Sequence, residues 1–395
     1  MAGASHWREK DTTPGLALIA ATALSFAILN SPFGETFHHA LEAPVLLGVT
    51  PHLAINDALM AIFFLYVGLE LKRELIEGPL RDPRAAALPV AAALGGMIAP
   101  ALIFLAIAGE AYTRGWAIPV ATDIAFAVGA LSLIGRRAPA GLRLFLLALA
   151  IVDDLGAIVV IAVFYTDAIA AWALGGVGLV FAAMLAMNRW RVHTLWPYWI
   201  GAVLLWGFML HSGVHATIAG VLAAFAVPMR APDGESPLIA AEHALKPWVL
   251  LGIMPLFALA NAGVSFAGLD ADILSHPVAL GAGLGLVLGK PLGIMAATMA
   301  AAALLRRSPP CSLRPMFGLS LLAGIGFTMS LFIGTLAFGD STLAAPVRVG
   351  VLGGSFAAAL LGLCVLGIGG RERADPDLLR DEEDAERKGL LEDRD

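Results

Sequence analysis

The stretch ALAIVDDLGAIVVIAVF, residues 148–164, sets two adjacent aspartates, Asp153 and Asp154, in the middle of a segment otherwise apolar enough to cross a lipid bilayer. One Asp at the centre of a membrane helix opposes insertion by about 2.5–3.5 kcal/mol, and the pair by roughly twice that before any compensation. Ionisable groups kept at such a cost point to function rather than to packing.

The rest of the chain fits a bilayer. Its 395 residues are 59% hydrophobic and 14% charged, with a mean hydropathy of +0.82, whereas soluble domains are about 45–50% apolar and 25% charged. The composition implies an all-α polytopic membrane protein. The formal net charge of −6 comes mostly from residues 371–395, which hold 11 Asp/Glu and 6 Lys/Arg. We read residues 1–370 as one membrane domain and 371–395 as a charged, disordered tail. Cys311 and Cys364 fit neither a disulfide framework nor a zinc site. The apolar run Pro14–Ile28 lacks a small-residue cleavage site and reads as a retained first span.

A membrane helix needs about 20 apolar residues. About twelve such segments begin near residues 14, 53, 85, 115, 142, 168, 195, 212, 247, 277, 315 and 346. With both termini on one side, that side receives 22 of the 25 Lys and Arg; the other receives only Arg114 and Arg348, and Lys290 lies within a span. The positive-inside rule therefore makes both termini cytoplasmic. Spans four and eleven carry interruptions. In GWAIPVATDIAFAVGALSLIG (115–135), Pro119 removes a backbone donor, and Thr122 and Asp123 stand where a new half-helix needs an N-cap. In FGLSLLAGIGFTMSLFIGTLAF (317–338), the Gly324–Gly326 run weakens the helix just before Thr328 and Ser330. Each broken span is the middle of a three-span set, residues 85–165 and 277–368, and the two sets fall in inverted orientation. Matched broken helices in inverted repeats point to a transporter's central site.

The intramembrane ionisable set is Asp57, Asp123, Asp153, Asp154 and Lys290, with Glu70, Lys72, Arg73 and Glu74 at the end of the second span. Helix neighbours point about 100° apart, so Asp153 and Asp154 face different partners. Lys290, in LVLGKPLGIM, sits too deep for its stem to reach an interface and needs an anionic partner or must lose its proton. Asp123 at a break offsets the positive ends of half-helices. Carboxylate oxygens suit a hard cation. Burial disfavours the charged carboxylate and a bound cation favours it, so proton and cation compete for one site. In a cavity open alternately to the two sides, that competition is an antiport mechanism.

The stretches INDALMAIFFLYVGLELKREL (55–74 and Leu75), GWAIPVATDIAFAVGAL (115–131), ALAIVDDLGAIVVIAVFYT (148–166), SGVHATIAGV (212–221), PLFALANAGV (255–264), GKPLGI (289–294) and GIGFTMSLFI (324–333) carry a resemblance to the NhaA-type sodium/proton antiporters over nearly all of the membrane region. The resemblance implies about twelve helices with two broken, crossing helices. It further implies electrogenic export of Na+ or Li+ in exchange for a larger number of protons across a bacterial inner membrane, by alternating access, with activity rising at alkaline pH. Carried over by motif, Asp153 and Asp154 bind Na+ and protons, Thr122 and Asp123 support the site at the broken helices, and Lys290 is the buried counter-charge. Glu70, Arg73 and Glu74 match the family's pH-response cluster, together with Glu242 and His243 in AAEHALKPWV (240–249). His215 falls in a motif linked to the same response. Lys246 stands where the family often has a second histidine. The family forms a homodimer through a hairpin between spans one and two, but here that segment (30–57) is shorter, and Ala54 replaces the Trp of the family's Trp-Ile-Asn-Asp motif, which argues against that contact.

Other classes fit poorly. An intramembrane aspartyl protease needs its acids on separate helices with a Gly-x-Gly-Asp motif, and a prenyltransferase needs acids four apart where Ala157 stands. The chain therefore reads as no enzyme, with no cofactor beyond its transported ions and no nucleic-acid partner. A cation-selective or proton channel built on the same carboxylates is the nearest alternative.

Overall fold

The structure is a computed structural model that describes residues 3–368 except 46–47, 135–139, 167, 232–233, 235, 266–270 and 340–341. The acidic tail at 371–395 lies outside the described residues. In chain order the principal helices are α1 (Gly3–Leu29), α2 (Gly34–Glu42), α3 (Pro51–Ile76), α4 (Pro83–Ala108), α5 (Ile124–Ile134), α6 (Ala140–Phe164) and α7 (Ala171–Arg189). They continue with α8 (Trp196–Leu210), α9 (Ile218–Ala226), α10 (Pro237–Asn261), α11 (Pro277–Leu305), α12 (Leu313–Leu322), α13 (Phe327–Phe338) and α14 (Ala344–Gly367).

Among the described residues, seven helices are long and apolar enough to cross a membrane, or nine if α1–α2 and α12–α13 each count as one bent span. The segments expected as spans four, seven and eight form the shorter helices α5, α8 and α9. For span four the reason is local. Pro119 and the non-helical residues Ala121–Asp123 take up much of its first half, and the chain before them runs as tight turns, with Ile118 N–H donating to Gly115 O and Val120 N–H to Ala117 O.

Four spans start on one device, a capping side chain followed by proline at the first helical position. Thr50 accepts from Leu53 N, Asp82 from Arg84 N, Ser236 from Ile239 N and His276 from Val278 N, each just before Pro51, Pro83, Pro237 and Pro277. Within α3, α10 and α11 a single wide turn interrupts the α-helix, at Ala54–Leu59, Val249–Ile253 and Gly285–Gly289. Such π-turns recur at functional sites, and the last ends immediately before Lys290.

Small residues set the close packing, as expected where lipid offers no hydrophobic drive between helices. α4 lies against α11 through Gly95 and Gly293. A Cβ on Gly95 would come within 2.3 Å of Gly293 O, and one on Gly293 within 2.0 Å of Gly95 O. α3 meets α9 the same way, since a Cβ on Gly220 would fall 2.1 Å from Ala61 O. These contacts fix α4 against α11, the helix that carries Lys290, and α3 against α9.

Candidate functional site

The two breaks meet. Ending a helix in mid-span strands backbone donors and acceptors that lipid does not satisfy, and here each break satisfies the other. Asp123 N–H donates to Ile325 O at 2.7 Å and Thr122 Oγ1 to Ala323 O at 2.8 Å. The Asp123 carboxylate then caps both half-helices. Its Oδ1 accepts from Phe126 N of α5 at 3.0 Å, and its Oδ2 accepts from Thr328 N of α13 at 3.2 Å and from Thr328 Oγ1 at 2.5 Å. One negative charge thus serves two positive helix ends. Ser355 of α14 completes the second break, its hydroxyl accepting from Gly326 N at 3.2 Å and Phe327 N at 3.1 Å. Phe327 has φ of +21°, outside the regions L-residues favour, and these bonds hold it there.

Lys290 ties this crossing to the aspartates of α6. Its fully buried Nζ donates to Val120 O at 2.5 Å, Thr122 Oγ1 at 2.6 Å and Asp153 Oδ2 at 2.9 Å. All three ammonium protons are therefore used, one by the freed carbonyl of span four, one by the threonine at its break and one by the carboxylate. Asp154 is 4% exposed and points elsewhere, with Asp153, Glu70 and Asp123 as like-charged neighbours and Lys290 as the opposing charge. Among the described residues, Asp153 Oδ1, Asp154 Oδ1 and Ser330 Oγ are buried without a hydrogen-bond partner. Two buried carboxylate oxygens with unused lone pairs, on adjacent residues near one lysine, are candidate donors for a hard cation or a proton.

The expected pH-response residues fall into separate places. Arg73 bridges two helices, its Nε donating to Glu242 Oε2 at 2.8 Å and Nη1 to Glu74 Oε1 at 2.7 Å. Glu70 lies beside this group, with Glu242, Arg73, Lys246 and Glu74 as charged neighbours. Lys72 instead closes the end of α9, donating to Phe225 O and Val227 O. His243 is exposed on α10 while Glu242 is buried, as the turn of a helix between neighbours requires. His215 is elsewhere: its Nδ1 meets Thr217 Oγ1 at 2.9 Å, its Nε2 lies 3.7 Å from Asp57 Oδ1, and its ring packs edge-on to Phe332. Asp57 and Arg73 are sixteen residues apart on α3, a rise of about 24 Å.

Reading the sequence missed Ser355. A serine among Gly and Ala in an apolar span carries no signal, and only the juxtaposition of α14 with the break reveals its use. Thr328 and Ser330 are visible in sequence as polar residues after the Gly-Ile-Gly run, though the partner of Thr328 is not.

The family model described as "Na+/H+ antiporter 1" matches residues 5–366. The Na(+)/H(+) antiporter NhaA of Caulobacter vibrioides is 49% identical over 382 residues, covering 94% of this chain and 92% of that protein. The Na(+)/H(+) antiporter NhaA 2 of Novosphingobium aromaticivorans is 52% identical over 375 residues, covering 92% and 95%, and the Na(+)/H(+) antiporter NhaA 1 of Pseudomonas putida is 48% identical over 378 residues, also covering 92% and 95%. With its apolar helices, its paired breaks and this similarity along almost its entire length, the chain is a multi-pass membrane protein belonging to the NhaA family of Na+/H+ antiporters.

Proposed function

We propose that the protein is an electrogenic antiporter of the bacterial inner membrane that exports Na+, and Li+ as a similarly hard cation, in exchange for protons by alternating access. The reading rests above all on one observation: the buried Lys290–Asp153 pair stands beside Asp154, and each aspartate keeps an unpartnered buried oxygen. With Asp154 protonated and Asp153 paired to Lys290, the site carries no net charge, and a neutral site moves through a low-dielectric barrier at least cost. A sodium ion that takes oxygens from both aspartates displaces the proton on Asp154 and removes the counter-charge of Lys290. The ammonium, buried without its carboxylate, then gives up its proton. More than one proton leaves for each Na+ that enters, so the exchange moves net charge.

The breaks support alternating access. Thr122, Asp123 and Lys290 link both interrupted spans to α6, so a change at the aspartates is felt by half-helices on either side of the bilayer midplane. Twelve spans in two inverted sets, 85–165 and 277–368, with both termini cytoplasmic, are the arrangement this reading assigns, supported by the distribution of Lys and Arg. The Arg73–Glu74–Glu242 cluster then lies toward the cytoplasm, with Glu70 between it and Asp154, and we assign it the regulation by pH. The test is proton flux in everted membrane vesicles after addition of NaCl, LiCl or KCl. Na+ and Li+ should collapse a preformed proton gradient with the parent protein and leave it intact with Asp154→Asn; a response without Na+ or Li+, or an unaffected variant, contradicts the proposal.

A further inference from the structure

Away from the ion site, the second break and the half-helix α5 form one wall of an apolar cavity of about 440 Å³ between α1, α5 and α14. Its inner surface is Ile325 and Phe327 at the second break, Phe126 on α5, and Ser355, the residue that caps the break. Phe126 and Phe327 pack ring to ring at 5.5 Å, so one object in the cavity touches both half-helices. The polar groups in the lining are turned to the protein: Thr22 Oγ1 donates to Leu18 O, and Ser355 Oγ holds Gly326 and Phe327.

The mouth is flanked by Leu16, Ile19, Leu133, Phe356 and Leu360, all exposed. In a multi-pass membrane protein such a rim faces lipid. Depth fixes what can reach it. On α14 the lining runs from Leu352 to Leu363, a rise of about 17 Å within the apolar span Ala344–Gly367 and shorter than a hydrocarbon core of about 30 Å. Headgroups do not reach that level, and an apolar void does not hold water. A void left unfilled forfeits dispersion contacts along its whole lining, while hydrocarbon lies continuous with its mouth. Its volume falls within the range of ordinary small-ligand sites, about 300–1,000 Å³.

We propose that this cavity is a binding site for one acyl chain of a bilayer phospholipid, seated against Phe126, Phe327 and Ser355 as the outer wall of the broken-helix crossing. The site would let the lipid phase act on the elements that carry the exchange without touching the aspartates. It is independent of the transport assignment, because occupancy is read without turnover.

The experiment reconstitutes the full-length protein in phosphatidylethanolamine–phosphatidylglycerol vesicles containing a trace of phospholipid with a diazirine at mid-acyl chain. Irradiation is followed by peptide mapping. Adducts should be several-fold enriched at Leu16–Phe26, Phe126–Leu133 and Leu352–Leu363 over the equally lipid-exposed Ile98, Leu102 and Val203. Two filling variants, Ala23→Phe and Ala359→Phe, should each abolish the enrichment while Ile98 and Leu102 label as before. Uniform labelling, enrichment that survives both fillings, or cross-links at these residues to a second copy of the chain would overturn the proposal.

Discussion

Lys290 Nζ lies 2.9 Å from Asp153 Oδ2 and 2.6 Å from Thr122 Oγ1, so one buried ammonium joins the acidic helix α6 to the interrupted fourth span. The pair has a structural and a chemical consequence, and the two separate by substitution. Lys290→Ala leaves Asp153 buried without a counter-charge, a change that costs about 3–5 kcal/mol, and should lower the unfolding temperature markedly. Lys290→Arg keeps a cation that does not lose its proton in proteins. It should restore much of the stability while transport loses its dependence on membrane potential. Thermal unfolding in detergent and flux under an imposed potential check both.

Asp123 serves two helix ends at once, and its removal should show it. Each lost cap costs about 0.5–2 kcal/mol, so Asp123→Ala should destabilise more than Thr328→Val, which removes only the Thr328 hydroxyl bond. Both should lower the maximal exchange rate more than they raise the sodium concentration for half-maximal rate. The reverse split would place Asp123 among the cation's own ligands.

The cluster at the end of α3 should act on regulation more than on stability. Arg73 is 30% exposed, but its partners Glu74 and Glu242 are buried, so removing the guanidinium leaves two buried carboxylates without their cation. Arg73→Gln should therefore lower the unfolding temperature, by less than Lys290→Ala, whose pair is wholly buried. It leaves Glu70, Glu74 and Glu242 crowded without the cation that lets them ionise together, so the pH–activity curve should move to higher pH. His243→Ala, at an exposed position away from the pair, should leave that curve in place.

Helix approach at Gly95 should be unforgiving. A side chain there meets Gly293 O, three residues beyond Lys290, so Gly95→Val must part α4 from α11 and draw Lys290 from Asp153. Loss of exchange and of thermal stability is expected together. Gly175→Ala on α7, where a Cβ meets nothing within 4 Å, should be neutral or slightly stabilising.

The buried charges were the most legible feature of the sequence, because hydrocarbon makes every ionisable group conspicuous: Asp123, Asp153, Asp154 and Lys290 each stood out alone. Their pairing was less so. The sequence offers Lys290 either aspartate, and only the packing of α11 with α6 shows that its partner is Asp153. The two breaks were visible through Pro119 and Gly324–Gly326, yet their mutual satisfaction through Thr122 and Asp123 depends on contacts some 200 residues apart. Ser355 was invisible because its surroundings in sequence are ordinary for packed membrane helices. His215 and Asp57 were each singled out, but their association follows from the return of the chain before α9 against the π-turn of α3, which local pattern does not encode. The span count by length differs because an interrupted span leaves only short helices: beyond its break at Pro119, span four continues as α5, which begins at Ile124.

The central claim is that sodium and protons compete at Asp153 and Asp154, with Lys290 supplying the charge imbalance. The most direct measurement is proton release on adding NaCl to the purified protein in weakly buffered detergent solution, alongside sodium binding. The account predicts more than one proton released per sodium bound by the parent, fewer with Lys290→Arg, and neither release nor binding with Asp154→Asn. Sodium binding without proton release, or undiminished release from Asp154→Asn, would contradict it.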